Sequence, residues 1–418
     1  MKIFRVFALI GLTALFFVIA YPRRLHAFDT GSWIDRIQLH GFASQGYLSS
    51  DQNNYYADTE EGSFEFNEFG LTVLANPIDR ITVGLQILSR DLGDISNNEL
   101  DIDWAYGTYR WRDWFGISAG LLKVPWGFYN ESRDIDLLRP WVFLPTSLYN
   151  ERLRDAYSSY TGISIGGDIL TDRFGSATYS IGYGEKVLSN DSTAYIMDIN
   201  QENVFQNIQN KAHDLLLSKF DWETPIPGMR IGASFLTCLL DLTAETNSHQ
   251  GWIENDVPPG TPIIDNSGRL SAIVLSAEYT LGGLTVAAEY LNEREYDLVA
   301  YNPYTGNRVN GSEQHSEGYY ASLAYRFTPW LQCGIYYSVH YPDSDDKDGD
   351  ELVENGEPAY NAWQKEAVLT ARFDITEQWL VKFEGHAING TADIPEFANP
   401  DGLSEDSFLF AIKTTFSF

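Results

Sequence analysis

From Arg36 to the C-terminus, short and long connections alternate without exception between segments of alternating apolar and polar residues. Sixteen such segments can be read, at 36–49, 63–75, 79–90, 99–110, 115–124, 157–170, 175–184, 211–222, 229–239, 268–280, 284–292, 317–327, 331–341, 362–373, 379–389 and 406–418. Their lengths suit a tilted strand crossing a hydrocarbon layer, which needs about 9 to 11 residues, whereas soluble strands average about 5 or 6. Seven connections are short, among them Asn76-Pro77-Ile78, Leu281-Gly282-Gly283 and Thr328-Pro329-Trp330. Eight are long and polar, at about 50–62, 91–98, 125–156, 185–210, 240–267, 293–316, 342–361 and 390–405. A soluble sandwich has no reason to keep this order. An antiparallel barrel with turns at one end and loops at the other requires it, and an even strand number returns both termini to the turn side.

The segments carry the two faces such a wall needs. In the last one Phe408, Phe410, Ile412, Thr414, Phe416 and Phe418 share one side, and Ser407, Leu409, Ala411, Lys413, Thr415 and Ser417 the other. Ile81, Val83, Leu85 and Ile87 oppose Thr82, Gly84, Gln86 and Leu88, while Ile273, Leu275, Ala277 and Tyr279 oppose Val274, Ser276 and Glu278. Apolar outside and polar or small inside is the period-2 pattern of a membrane barrel, which pairs every backbone N–H and C=O between strands. Leu88, Leu409 and Val274 are apolar residues on the inner side. Trp104, Tyr106, Trp111, Trp114, Tyr279, Tyr290, Trp330, Tyr341, Trp363 and Trp379 cluster near strand ends, where amphipathic rings form interfacial girdles. The expected fold is all-β: a 16-stranded antiparallel transmembrane β-barrel with short periplasmic turns and long extracellular loops.

At the N-terminus Lys2 and Arg5 precede an apolar run from Phe7 to Tyr21, then Pro22 and a small residue, Ala27. This describes a secretory signal peptide over 1–27, leaving 28–418 as the barrel. No later run of 18 or more apolar residues exists to make a membrane helix. The whole chain has Lys+Arg 28 against Asp+Glu 58, a net charge of -30. That excess argues against nucleic acid as a partner, because a phosphate backbone needs a basic footprint. Two cysteines, Cys238 and Cys333, exclude a disulfide scaffold, and six dispersed histidines beyond the leader offer no close ligand pair. No metal or cofactor is implied. Gly162-Ile163-Ser164-Ile165-Gly166 has the letters of a nucleophile elbow but lies within a strand, and no enzyme is indicated. Asp346 to Asp350 fails as a calcium loop, since Ser344 stands where an acid is needed.

With its leader, sixteen amphipathic segments, long third loop and terminal Ser417-Phe418, the chain resembles Gram-negative outer-membrane porins of the general and phosphate-selective type. Gln38-Leu39-His40-Gly41-Phe42 with Gln45-Gly46-Tyr47 is similar to the first strand of several of them. A lysine-rich segment resembling the phosphate-binding ladder is not seen. The resemblance implies a homotrimer in contact with outer-membrane lipid and lipopolysaccharide. It also implies Phe418 as a recognition signal for the barrel-assembly machinery, and a third loop folded into the lumen.

Residues 125–156 occupy that loop's place. They carry Glu131, Arg133, Asp134, Asp136, Arg139, Arg152 and Arg154 as candidate constriction groups. Candidate wall partners on inward faces are Arg90, Asp101, Asp103, Lys123, Arg326, Glu366, Arg372, Lys382, Glu384 and Lys413, with Glu278 and Glu289 adding negative charge. Facing acids and bases would set a transverse field across the pore. Acidic outer loops, above all 342–361, favour cations or neutral solutes at the mouth. The function expected is passive diffusion of small hydrophilic solutes and ions. The alternatives are a substrate-specific or gated channel, or a barrel that sheaths or anchors a periplasmic or extracellular partner protein.

Overall fold

The computed structural model describes residues 36–93, 95–189, 204–250, 252 and 256–418, so the expected leader lies outside the described residues. The strands are β1 (Ile37–Ser50), β2 (Asn67–Ile78), β3 (Ile81–Asp91), β4 (Asn97–Arg112), β5 (Phe115–Lys123), β6 (Ser159–Thr171), β7 (Gly175–Ser189), β8 (Phe205–Glu223), β9 (Met229–Thr246), β10 (Pro262–Leu281), β11 (Leu284–Asn302), β12 (Asn307–Asn310), β13 (Gln314–Thr328), β14 (Leu331–Tyr341), β15 (Gln364–Asp374), β16 (Trp379–Gly390) and β17 (Asp406–Ser417). Each pairs antiparallel with its neighbour, and β1 closes the circle on β17 from Phe42↔Ser417 to Ser50↔Leu409. β12 is a four-residue strand on the loop after β11, while β11 itself pairs onward with β13. The wall is therefore a closed sixteen-stranded barrel.

The closing seam continues one pair beyond the β1–β17 ladder. Phe418 and Gly41 exchange backbone hydrogen bonds at 2.9 and 3.0 Å. The Phe418 ring packs over Gly41, where an added Cβ would fall 2.5 Å from it.

Alternation sorts the faces. Phe408 and Phe410 on β17, Leu275 on β10, Ile335 on β14, Leu369 on β15 and Phe383 on β16 are exposed, while Leu409, Ala411, Lys413 and Thr415 point in and are buried. Trp111, Trp114, Trp330 and Trp379 stand exposed near the short turns, with Phe174 and Phe327. Two aromatics expected in that girdle lie inside instead. A register shift between Gln86 and Ile87 leaves Asp103 as an extra residue on β4, a bulge that turns Trp104 inward. Its indole donates to Gln86 Oε1 at 3.1 Å, and Tyr106 beside it faces the lumen.

Strand extends into both ends of the segments expected as loops at 185–210, 240–267 and 293–316. β8, β9, β10 and β11 run 19, 18, 20 and 19 residues, well beyond the outer belt. Above a bilayer both faces meet water, so backbone pairing continues without the apolar alternation that reveals a strand in sequence.

Leu369 is 65% exposed at mid-strand, across from Ile335. Leu369→Arg should lower the unfolding free energy in lipid vesicles by about 2–4 kcal/mol, measured by guanidinium titration of tryptophan fluorescence.

Candidate pore constriction

The third long loop leaves β5 at Val124, crosses the lumen and returns to β6. It includes two short helices, α1 (Thr146–Tyr149) and α2 (Arg154–Ser158). Trp126, Val142, Phe143, Leu144, Leu148 and Tyr149 on it are buried against the wall. The inward leucines and valines explain where this packing comes from. Val274, Leu217, Leu236 and Val368 share one apolar cluster with Trp126, Trp141 and Tyr149, and Leu409 shares another with Phe143. Apolar burial of this kind stabilises by roughly 25 cal/mol per Å².

Polar wall groups then fix the loop in register. Glu289 accepts the backbone N–H of Phe128 at 2.8 Å, the Ser276 hydroxyl at 2.5 Å, and the hydroxyls of Tyr149 and Tyr320 at 2.6 and 2.7 Å. Four donors thus satisfy a buried carboxylate. Glu384 takes the N–H groups of Val142 and Phe143 at 2.8 and 2.9 Å. Glu366 accepts from Thr146 at 3.1 Å and pairs with His386 at 2.7 Å. Arg372 donates to the carbonyls of Leu137 and Arg139 at 2.7 and 3.1 Å.

Asp136 lies at the centre. Lys382, Lys413 and Arg139 approach it at 3.1, 2.9 and 3.3 Å, and Thr415 donates at 2.7 Å. Lys413 also pairs with Glu68. A second group joins Glu151 to Arg90 at 2.7 Å and to Arg133 at 2.8 Å. A third brings Lys123 to Asp134 at 2.6 Å and to Asp103 at 3.6 Å, with Arg154 completing it on the same two acids.

Of the candidate arginines, Arg133, Arg139 and Arg154 are therefore buried in contact pairs, and Arg152 reaches the Asp393 carbonyl at 3.1 Å in the last long loop. Opposite charges meet here within bonding distance instead of facing one another across open water. Asp101 is exposed on β4, and Arg326 pairs with Asp374 at 2.6 Å near the short turns.

Open space remains on the turn side of the loop. A vestibule of about 730 Å³ is bounded by Glu131, Asp134, Asp136 and Leu137 at its inner end. Its wall is small: Gly116, Ser118, Ser164, Gly166 and Ser180 line it from β5, β6 and β7. A further set of charges lies around the loop, and Glu131 is the most exposed of them. Glu131, its side chain 49% exposed, pairs with Lys219 at 2.7 Å, Lys219 contacts Asp221 at 3.4 Å, and Arg230 pairs with Glu278 at 3.3 Å. Lys219, Asp221 and Arg230 were missed in sequence, although alternation along 211–222 and 229–239 places them on the inward side. Glu68 and His386 were missed too.

Burial pushes the Glu151 carboxyl up, but Arg133, Arg90 and Arg154 outweigh it and hold the group well below its ordinary range. Asp136 is likewise lowered, its burial overcome by Lys382, Lys413 and Arg139.

No family model and no curated protein sequence matches the chain. Solved structures do. OmpF of Salmonella typhi, in complex with daunomycin, matches at TM-score 0.57 and 12% identity, over 91% of this chain and 97% of that one. The outer membrane channel DcaP of Acinetobacter baumannii matches at TM-score 0.54 and 13% identity, over 91% and 97%. OmpT of Vibrio cholerae, an outer membrane protein described in a trimer form, gives TM-score 0.54 and 10% identity over 91% and 99%. The fold is that of an outer-membrane porin barrel.

Two outcomes follow for the loop. Asp136→Ala strands Lys382 without its carboxylate and should cost about 3–5 kcal/mol in the same vesicle titration. The lowered Glu151 carboxyl contributes fully above its ordinary 4.5 and loses its contribution as pH falls through the depressed value. Limited proteolysis of 125–156 should therefore stay flat from neutral pH down to 4.5 and rise only in stronger acid.

Proposed function

We propose that the chain is an outer-membrane diffusion channel for small hydrophilic solutes and ions, non-enzymatic and trimeric. The observation that carries this reading is the vestibule. A closed wall with an apolar outer face encloses about 730 Å³ of open space, where serine, glycine, threonine and charged side chains share the lining with Phe42, Leu74, Trp104, Tyr106, Leu122 and Tyr160, and the third loop lies across its inner end. Water and small polar solutes are the natural contents of such a space, and the outer face requires lipid. Residues 1–27 act as the export leader in this reading, and 125–156 form the constriction. Phe418, exposed at the seam, serves the assembly machinery. The likeness to DcaP, an outer membrane channel, and to Vibrio cholerae OmpT, which has a trimer form, supports the same assignment.

Ion preference comes from the mouth. Around the constriction each exposed base touches an acid, so its net field is small. The loop after β14 instead exposes Asp345, Asp348, Asp350, Glu351, Glu354 and Glu357 with Lys347 as its one base. That unbalanced charge concentrates cations by an amount that salt screens over about 8 Å.

Planar-bilayer recording tests the proposal. Insertion should give ohmic steps in groups of three, and a salt gradient should give a mildly cation-selective reversal potential that weakens as salt rises. Ser164→Trp, which places an indole in the vestibule, should reduce the step to roughly half or less. Folded protein that inserts without conducting would overturn the channel reading.

A further inference from the structure

The inner face of β8 to β11 is unlike that of a water-filled pore. Leu215, Leu236, Leu240 and Leu270 point inward in a sector where polar residues would keep a lumen wet. Much of that apolar surface packs on the third loop, but part of it does not. Between α2 and this wall lies a second cavity of about 170 Å³, lined by these leucines with Ala212 and Cys238. An apolar cavity of about 150 Å³ is large enough to bind benzene, so this one has room for a single aryl ring or a short alkyl group.

Its two polar ends differ. At one end Lys186 stands among Asp101, Asp103 and Asp155, which counter its charge. At the other, Glu293 and Glu295 project from β11 two residues apart, on the same face. Glu293 accepts the Tyr157 hydroxyl at 2.8 Å. Among the described residues no lysine or arginine pairs with either glutamate, and the nearby His340 is held by Asp393 at 3.0 Å. Two carboxyl groups thus stand at one end of an apolar pocket, one of them holding the Tyr157 hydroxyl, with no lysine or arginine bonded to either among the described residues.

We propose that this cavity binds an arylalkyl ammonium ion, its ring among Leu215, Leu236 and Leu270 and its ammonium donating to Glu293 and Glu295. The inference deepens the channel reading by naming a class of solute the pore retains, yet binding itself does not require transport. The ammonium supplies the missing charge, and its N–H groups bond both carboxylates at the position where desolvation makes such bonds strong. A neutral analogue keeps the ring contact and loses the charge; a carboxylate analogue meets repulsion.

The test is calorimetric titration of the full-length folded protein in detergent with 2-phenylethylammonium, 2-phenylethanol and phenylacetate. The ammonium should bind at least about tenfold more tightly than the alcohol, and phenylacetate should show no binding. Glu293→Gln with Glu295→Gln should abolish the preference for the ammonium while the barrel's heat-modifiable migration is unchanged. Should that variant fail to fold, a second readout applies. In a Cys333→Ser chain, 2-phenylethylammonium should slow alkylation of Cys238, which lines the cavity, and 2-phenylethanol at the same concentration should do so much less. Equal binding of all three probes, or no protection of Cys238, would overturn the proposal. Conduction without ammonium binding would remove this site and leave the channel reading intact; binding without conduction would do the reverse.

Discussion

Everything in this molecule depends on one ladder of backbone hydrogen bonds, the one between Phe42–Ser50 and Leu409–Ser417 that joins the first strand to the last. An open sheet of this length would leave two edges of unpaired N–H and C=O groups, which hydrocarbon cannot satisfy. Closure removes both edges at once, and only then can Phe408, Phe410 and Leu369 face outward as a continuous apolar band. It also creates the interior in which the third loop finds partners from β3 round to β17. The Gly41–Phe418 contact extends this ladder by one pair, so the terminal ring acts on the closing seam itself.

Inside, charge serves chiefly to position. Burying Lys382, at 0% exposure, beside Asp136 involves a desolvation cost that their attraction offsets only when geometry and further hydrogen bonds are good. Here Thr415, Lys413 and Arg139 complete the carboxylate, and the Trp141 carbonyl accepts a second bond from Lys382 at 2.8 Å. Such a network adds little net stability over an apolar equivalent but penalises any shift of the loop by one residue, because each misplaced group becomes a buried unpaired charge. The apolar clusters around Trp126, Trp141 and Phe143 supply attraction; Glu289, Glu384 and Asp136 supply register.

Most of the wall was legible in the sequence for a simple reason: period-2 alternation is forced wherever one face meets lipid. That is why the ends of β14 coincide with the expected 331–341 and why Lys413, Lys382 and Glu384 were placed inward. Alternation gives a side chain's face, however, and never its partner. Nothing local to Lys382 indicates that its carboxylate lies 246 residues away at Asp136. Likewise nothing local to the inward Val274 and Leu409 indicates the loop residues that cover them. The bulge at Asp103 has no composition signature, and it reverses the face of Trp104. The extensions of β8 to β11 escape because their outer halves have water on both sides.

The same distinction between face and partner governs selectivity. A transverse field needs acids and bases held apart by water, and inward alternation of charge is compatible with that arrangement or with its opposite. In this barrel the loop brings Asp134 within 2.6 Å of Lys123 and Glu151 within 2.8 Å of Arg133, so these opposed charges cancel over a distance shorter than a water layer. What survives at long range is charge that has no close counterpart. Among the described residues Asp348 and Glu354 have no ion-pair partner, and no lysine or arginine pairs with Glu293 or Glu295. In the proposed channel a cation arriving from outside would meet first the diffuse attraction of the mouth and then the pair of carboxyl groups beside the apolar cavity. Screening weakens the first with added salt much more than the second, because a desolvated pair is poorly reached by counterions. In the proposed channel, capture at the mouth and retention at the wall would therefore respond differently to salt.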